Sequence, residues 1–126
     1  MSSASAAGHT ELKGVHILVV EDHWHVANAL KSLFEAEQMV VSGPAATTAD
    51  ARRLAAKDKP ELAVVDINLK GEMAYDLIDE LHDQGVRVVV VSGYAAVLPR
   101  LTQQVVAVLQ KPFKGPELLG VLRRAL

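Results

Sequence analysis

Three carboxylates, one ammonium and one hydroxyl stand at the ends of apolar runs in this chain. Glu21 and Asp22 follow the run Val15–Val20, and Asp66 follows Leu62–Val65. Ser92 follows Val88–Val91, and Lys111 follows Val105–Gln110 and precedes Pro112. Carboxylates brought close together repel, and each raises the proton affinity of the others. A cation among them removes the conflict. Mg²⁺ takes oxygen ligands in octahedral geometry and keeps several waters, so one or two direct carboxylates suffice. Glu21 and Asp22 alternate in direction, so one can ligate directly while the other acts through water, with Asp66 completing the site. An ionised Asp is also a competent nucleophile towards phosphorus. A metal and the Lys111 ammonium would neutralise the phosphoryl oxygens, with Ser92 as a hydroxyl donor.

These groups meet only if the apolar runs are parallel strands of one sheet, because ligands of open α/β sheets bind at the carboxyl edge. Five runs alternate with amphipathic segments, the pattern of repeated β–α units. The strands are expected at Val15–Val20, Met39–Ser42, Leu62–Asp66, Arg87–Ser92 and Val105–Gln110. Their unbroken Val/Ile/Leu content fits strands covered on both faces. Helical spacing places Val26, Leu30, Leu33 and Phe34 on one stripe, and Ala51, Leu54 and Ala55 on a second. Met73, Leu77, Ile78 and Leu81 form a third, closed by Gly85. Leu118, Val121, Leu122 and Leu126 form the last, with Pro116 in its first turn. Between Ser92 and the fifth strand the segment is short and carries Pro99, so a short or irregular fourth helix is expected there.

The chain has 126 residues, half of them hydrophobic and 22% charged, which fits one globular domain with its own core. A net charge of −2 argues against a broad nucleic-acid surface. With no cysteine there is no disulfide, thiolate nucleophile or Cys-based zinc site, which fits a cytoplasmic protein. Residues 1–14 read as a flexible tail and 15–126 as the folded domain. No apolar run approaches the ~20 residues of a membrane span.

The residues match a family. The sequence resembles the receiver domain of two-component response regulators, from Val15 to Leu126. The acidic pair is Glu21-Asp22, the phosphoacceptor position Asp66, the hydroxyl position Ser92, and Lys111-Pro112-Phe113 the Lys-Pro-Phe signature. Each motif alone is weak; all of them in order, each at a strand end, are strong. The resemblance implies a flavodoxin-like, doubly wound five-stranded parallel sheet of order 2-1-3-4-5. It implies Mg²⁺ held by Asp22, Asp66 and the backbone carbonyl of Asn68, with Glu21 assisting through water. It implies a phosphoryl donor, a sensor histidine kinase or histidine phosphotransfer protein, and no catalysis beyond slow autodephosphorylation. The Lys111–Pro112 peptide is often cis in such domains.

The sequence departs from the family at two places. The position of the usual switch aromatic is Val108, with Tyr94 the nearest substitute. The loop after Asp66 is short and carries Lys70 where proline is frequent. Both this loop and the stretch Ser92-Gly93-Tyr94 are similar to a subgroup of alphaproteobacterial stand-alone receivers. With no residues after Leu126, output is expected through protein contacts, including a possible homodimer through the fourth helix, fifth strand and last helix. The competing readings are a receiver trimmed from a multidomain regulator and a flavodoxin-like ligand-binding module. A nucleotide or flavin site needs a Gly/Ser/Thr-rich loop after the first strand; Glu21-Asp22-His23-Trp24 is acidic and bulky. A small-molecule aspartyl-phosphate hydrolase would need a second acid where Asn68 stands. His23 and His25 read as exposed helix-start residues, because His-x-His does not put both rings on one helical face.

Overall fold

The runs of β-branched residues do form strands, and their order along the sheet decides what meets at its edge. The computed structural model describes residues 11–93 and 104–126. In chain order the elements are β1 (His16–Val20), α1 (Trp24–Ala36), β2 (Val40–Ala45), α2 (Thr48–Lys57) and β3 (Leu62–Asp66). A two-residue hairpin follows, β4 (Asn68–Leu69) and β5 (Glu72–Met73). Then come α3 (Tyr75–Asp83), β6 (Arg87–Ser92), β7 (Ala107–Gln110) and α4 (Gly115–Ala125). The five long strands pair in the order β2-β1-β3-β6-β7, all parallel. This is the doubly wound topology expected, with the order 2-1-3-4-5 once the hairpin is set aside. The expected fourth helix falls on residues outside those described.

Alternation along the strands divides the core into two layers. Leu18, Val20, Ala63, Val65, Val88 and Val90 face α2 and α3, meeting Ala51, Ala55, Leu77, Ile78 and Leu81. Ile17, Val19, Leu62, Val64, Val89 and Val91 face α1 and α4, meeting Leu30, Phe34, Leu118 and Leu122. A side-chain period of two sends neighbours to opposite faces, so each central strand is apolar throughout and buried on both sides. Thr47 caps α2, its Oγ1 accepting the Asp50 N–H at 3.1 Å. Gly85, at φ +85°, ends α3, with its N–H bonded to the His82 carbonyl.

Several boundaries differ from the expected ones: β1 starts at His16 and not Val15, β2 at Val40 and not Met39, and β7 at Ala107 and not Val105. Leu12, placed in the tail, is buried against the α1/α4 layer, and the Gly14 N–H reaches the Gln38 carbonyl at 2.8 Å. Met73 leaves the α3 stripe: it lies in β5 and is 43% exposed, while Ala74 takes the buried place before the helix. Leu126 is also exposed, past the end of α4. β2 runs on through Gly43-Pro44 to Ala45, past its expected end at Ser42. As an edge strand it tolerates a proline without a donor N–H. Its pairing with β1 shifts register between Leu18 and Val20, which absorbs the extra residue. The Gly43–Pro44 and Lys111–Pro112 peptides are both cis.

Gly43 is needed for two reasons. Its φ is +98°, and a Cβ there would sit 2.7 Å from the Val19 carbonyl oxygen and 2.8 Å from the Ala45 nitrogen. Both obstacles are backbone and cannot rotate away. Gly43→Ala is expected to destabilise the protein by about 1–3 kcal/mol, read as a lower urea midpoint at unchanged slope.

Candidate functional site

Parallel pairing sets the site. β1 delivers Glu21 to the carboxyl edge, and the Glu21 N–H bonds to the Ala45 carbonyl at 2.9 Å. β3 ends in Asp66, whose pairing partner is Val91. Ser92 ends β6 opposite Gln110, and the Lys111 N–H bonds to the Ser92 carbonyl at 2.7 Å. Lys111 is thus an extension of the sheet ladder, which aims its side chain across the edge of β6 and β3.

The Lys111 ammonium bridges two carboxylates. Its Nζ donates to Glu21 Oε1 at 2.8 Å and to Asp66 Oδ2 at 3.0 Å. The carboxylate side chains are almost fully buried, at 0% and 4% exposure, and that of Lys111 is 20% exposed. The remaining oxygens are mostly held by backbone donors. Glu21 Oε2 accepts the His23 N–H at 3.0 Å, and Asp66 Oδ1 accepts the Asn68 N–H at 3.1 Å. Asp22 Oδ2 accepts the Lys70 N–H at 2.9 Å. Asp22 Oδ1 is buried and has no hydrogen-bond partner.

Electrostatics follow from this geometry. Burial pushes the Glu21 carboxyl up, but hydrogen bonds from Lys111 and from the His23 backbone and ring outweigh it, so Glu21 sits below the ordinary range. Burial also pushes Asp66 up; Lys111 and the Asn68 N–H pull it back, and the Glu21 charge raises it again, leaving it above its ordinary value. Lys111 is pushed down by burial and up, more strongly, by its two carboxylate partners. One ammonium therefore serves three clustered acids, an arrangement with uncompensated negative charge. A dication fits that charge, and the donor set suits it: carboxylate oxygens, one of them buried with its lone pairs unused. Glu21, Asp22, His23 and Asp66 each offer a ligand atom, all within 4.8 Å of one another.

Glu21, Asp22, Asp66 and Lys111 thus converge as their positions at strand ends required, and Ser92 lies fully buried at the adjoining strand end. Asn68 begins the hairpin, exposed, with its N–H on Asp66. Two participants were not foreseen. The Lys70 amide reaches Asp22 because the hairpin folds back, and a proline there would have no N–H to give. The His23 ring stands against Glu21, since His23 is the residue before α1 and not part of its faces. Its φ of −78° and ψ of 112° are extended, so helical spacing was the wrong test for it. Trp24 is 71% exposed, edge-on to the His25 ring at 5.0 Å. Val108, at the switch position, is half-buried in β7. Tyr94 lies outside the described residues.

The topology and the acidic sheet edge define a doubly wound α/β domain with a cation-ready carboxylate cluster. The response regulator receiver domain matches residues 17–123, and the chain belongs to that family. It is 32% identical over 119 residues to the C4-dicarboxylate transport transcriptional regulatory protein DctD of Pseudomonas aeruginosa, covering 87% of this chain and 25% of that one. It is 29% identical over 82 residues to the transcriptional regulatory protein DesR of Bacillus subtilis, covering 64% of this chain and 41% of that one. The chain spans less than half the length of either relative. A response regulator from Burkholderia pseudomallei, solved with a phosphorylated aspartic acid, calcium ion and citrate, is 27% identical. It superposes with a TM-score of 0.76 over 86% of this chain and 66% of that one. Among the described residues no helix is long and apolar enough to cross a membrane.

Proposed function

We propose that this receiver accepts a phosphoryl group on Asp66 from a phosphohistidine of a sensor kinase or phosphotransfer protein, with Mg²⁺. The observation that carries the reading is the Lys111 ammonium held 3.0 Å from Asp66 Oδ2, beside the unsatisfied Asp22 Oδ1. In the transfer an Asp66 carboxylate oxygen attacks phosphorus. The P–N bond to the donor imidazole breaks, and that nitrogen keeps the electron pair and takes a proton. Asp22 and Asp66, with the Asn68 carbonyl, would hold Mg²⁺, and Glu21 would act through water. The metal supplies positive charge to the phosphoryl oxygens. Lys111 supplies a second positive charge to them, and Ser92 a hydroxyl donor. The Asn68 and Lys70 amides fix the two carboxylates, so little reorganisation precedes attack. The phosphorylated aspartic acid of the Burkholderia relative supports the assignment.

The protein turns over no external substrate in this reading; it is a switch whose acyl phosphate is lost slowly to water. Output runs through altered protein–protein contacts, as a stand-alone regulator. The greater length of both curated relatives favours a second reading, in which the receiver is one part of a larger regulator. An immunoblot of the native protein separates the two by size.

The deciding experiment is incubation with acetyl phosphate and Mg²⁺, followed by intact mass. Wild type is expected to gain one phosphoryl group, and Asp66→Asn none. Equal labelling of both proteins would remove Asp66 from the role. No labelling from any donor, with Mg²⁺ binding intact, would leave a receiver fold without its chemistry.

A further inference from the structure

We propose that His23 turns the acidic cluster into a mixed nitrogen–oxygen site that takes a borderline first-row dication of the zinc class. The ligands are His23 Nδ1, Glu21 Oε2 and Asp22 Oδ1. The proposal rests on reading the cluster as a metal site, and adds a second metal class that competes for it.

The distances carry the argument. His23 Nδ1 lies 3.0 Å from Glu21 Oε2 and 3.5 Å from Asp22 Oδ1. Metal–ligand bonds of about 2.0–2.1 Å put adjacent ligand atoms roughly 2.9–3.4 Å apart in octahedral or tetrahedral geometry. His23 Nδ1 is therefore spaced from both oxygens about as neighbouring ligand atoms are in a coordination polyhedron, and the cluster's ligand atoms all lie within 4.8 Å of one another. Two further facts point to a ligand. The Asp22 side chain is nine-tenths buried, and its Oδ1 accepts no hydrogen bond. The Lys70 amide holds the other oxygen at 2.9 Å, which leaves Oδ1 facing the cluster. Lys111 holds Glu21 Oε1 at 2.8 Å, so the ligand atom on that side is Oε2, which also accepts the His23 backbone N–H at 3.0 Å.

Ligand chemistry decides the class. Mg²⁺ takes oxygen donors almost alone, whereas neutral imidazole suits zinc and its neighbours. The ring is 67% exposed, so an ion can reach it from solvent. To bind, Nδ1 must be the unprotonated nitrogen, with the ring proton on Nε2. Asp22 Oδ1 is claimed by both metals, so occupation by the zinc-class ion excludes the Mg²⁺ arrangement. Zn²⁺ should then block phosphoryl acceptance at Asp66.

The test uses Zn²⁺ alone, followed by calorimetry and by nitrogen-detected spectra of the imidazoles. Zn²⁺ is expected to shift the His23 ring and leave Nδ1 without a proton. His23→Ala should weaken Zn²⁺ binding by about tenfold or more, the size of loss seen for supporting groups at metal sites, and weaken it far more than Mg²⁺ binding. His25→Ala should leave Zn²⁺ affinity as in wild type. Equal Zn²⁺ affinity in wild type and His23→Ala, or an unmoved His23 ring, overturns the proposal: Nδ1 then only donates to Glu21. If Mg²⁺ binding and labelling of Asp66 persist in that case, the zinc site alone has failed. If they are absent too, the metal reading of the cluster has failed with it.

Discussion

Replacing Lys111 by methionine is expected to lower the stability of the metal-free protein by about 3–5 kcal/mol at neutral pH, because it strands buried carboxylates without their partner. The substitution keeps most of the side-chain volume, so packing contributes little to the loss. Among the described residues no other lysine or arginine pairs with Glu21 or Asp66, and the remaining side-chain partner is the His23 ring, 3.0 Å from Glu21. Two readouts separate this effect from simple misfolding. Mg²⁺ affinity should rise, since the ammonium no longer competes for Glu21 and Asp66. Labelling of Asp66 by acetyl phosphate should fall, since the charge on the phosphoryl side is gone. Urea unfolding with and without Mg²⁺ measures the first, and intact mass the second. A variant with unchanged stability would mean that water already neutralises the buried pair.

The pH dependence of that variant follows from the same contacts. In wild type Glu21 is depressed below its reference of 4.5, by hydrogen bonds that overcome burial. A depressed carboxyl contributes stability that is present above the unfolded value and is lost as pH falls through the folded one. Without Lys111, Asp66, already raised by burial, is pushed further up, and Glu21 loses the largest influence that opposes its burial. A raised carboxyl binds its proton more tightly when folded, so the variant gains stability as pH falls from neutral towards the folded value. The gap between the variant's urea midpoint and that of wild type should therefore narrow on mild acidification.

Much of this site was legible because strand ends are legible. A run such as Leu62–Val65 fixes the residue after it at the sheet edge, whatever the rest of the chain does. Hence Asp66, Ser92 and Lys111 were placed by their neighbours alone. What escaped was local geometry with no periodic signature. The β4–β5 hairpin is two residues a side, too short for any alternation, yet it carries the Lys70 amide to Asp22. It also carries Glu72 to α2, where Oε1 accepts the Thr48 N–H at 2.8 Å, tying the loop after Asp66 to a helix N-terminus. β2 runs past its expected end at Ser42, through Gly43-Pro44, because a register shift on an edge strand accommodates such residues, and nothing in the run Met39–Ser42 signals that. His23 was judged as a helical residue, whereas its extended backbone turns the ring towards Glu21. The dipeptide Asp22-His23 at the end of a strand was the signal available.

Asp66→Asn is expected to raise the melting temperature of the metal-free protein by a few degrees while abolishing labelling. Burial pushes the Asp66 carboxyl up, the Lys111 and Asn68 hydrogen bonds only partly reverse it, and the Glu21 charge adds to the burden. An acid raised above its reference of 3.8 is one whose ionised form costs the fold something at neutral pH. Asparagine keeps the shape and carries no charge; its one oxygen can take the Asn68 N–H, while its NH2 replaces the oxygen that faced Lys111, whose ammonium keeps Glu21 as its acceptor. The substitution also leaves one ammonium facing one buried carboxylate, Glu21, in place of two. Mg²⁺ reverses the ranking. A ligand that binds only the folded state stabilises it in proportion to the logarithm of its occupancy term, and the variant has lost one of the carboxylates that would hold the ion. Wild type should therefore gain more from Mg²⁺ than Asp66→Asn, and the two melting curves should converge or cross as Mg²⁺ is added. A variant that melts below wild type in metal-free buffer would show that Lys111 fully compensates Asp66. The strain would then lie at Asp22, whose buried Oδ1 lacks any hydrogen bond.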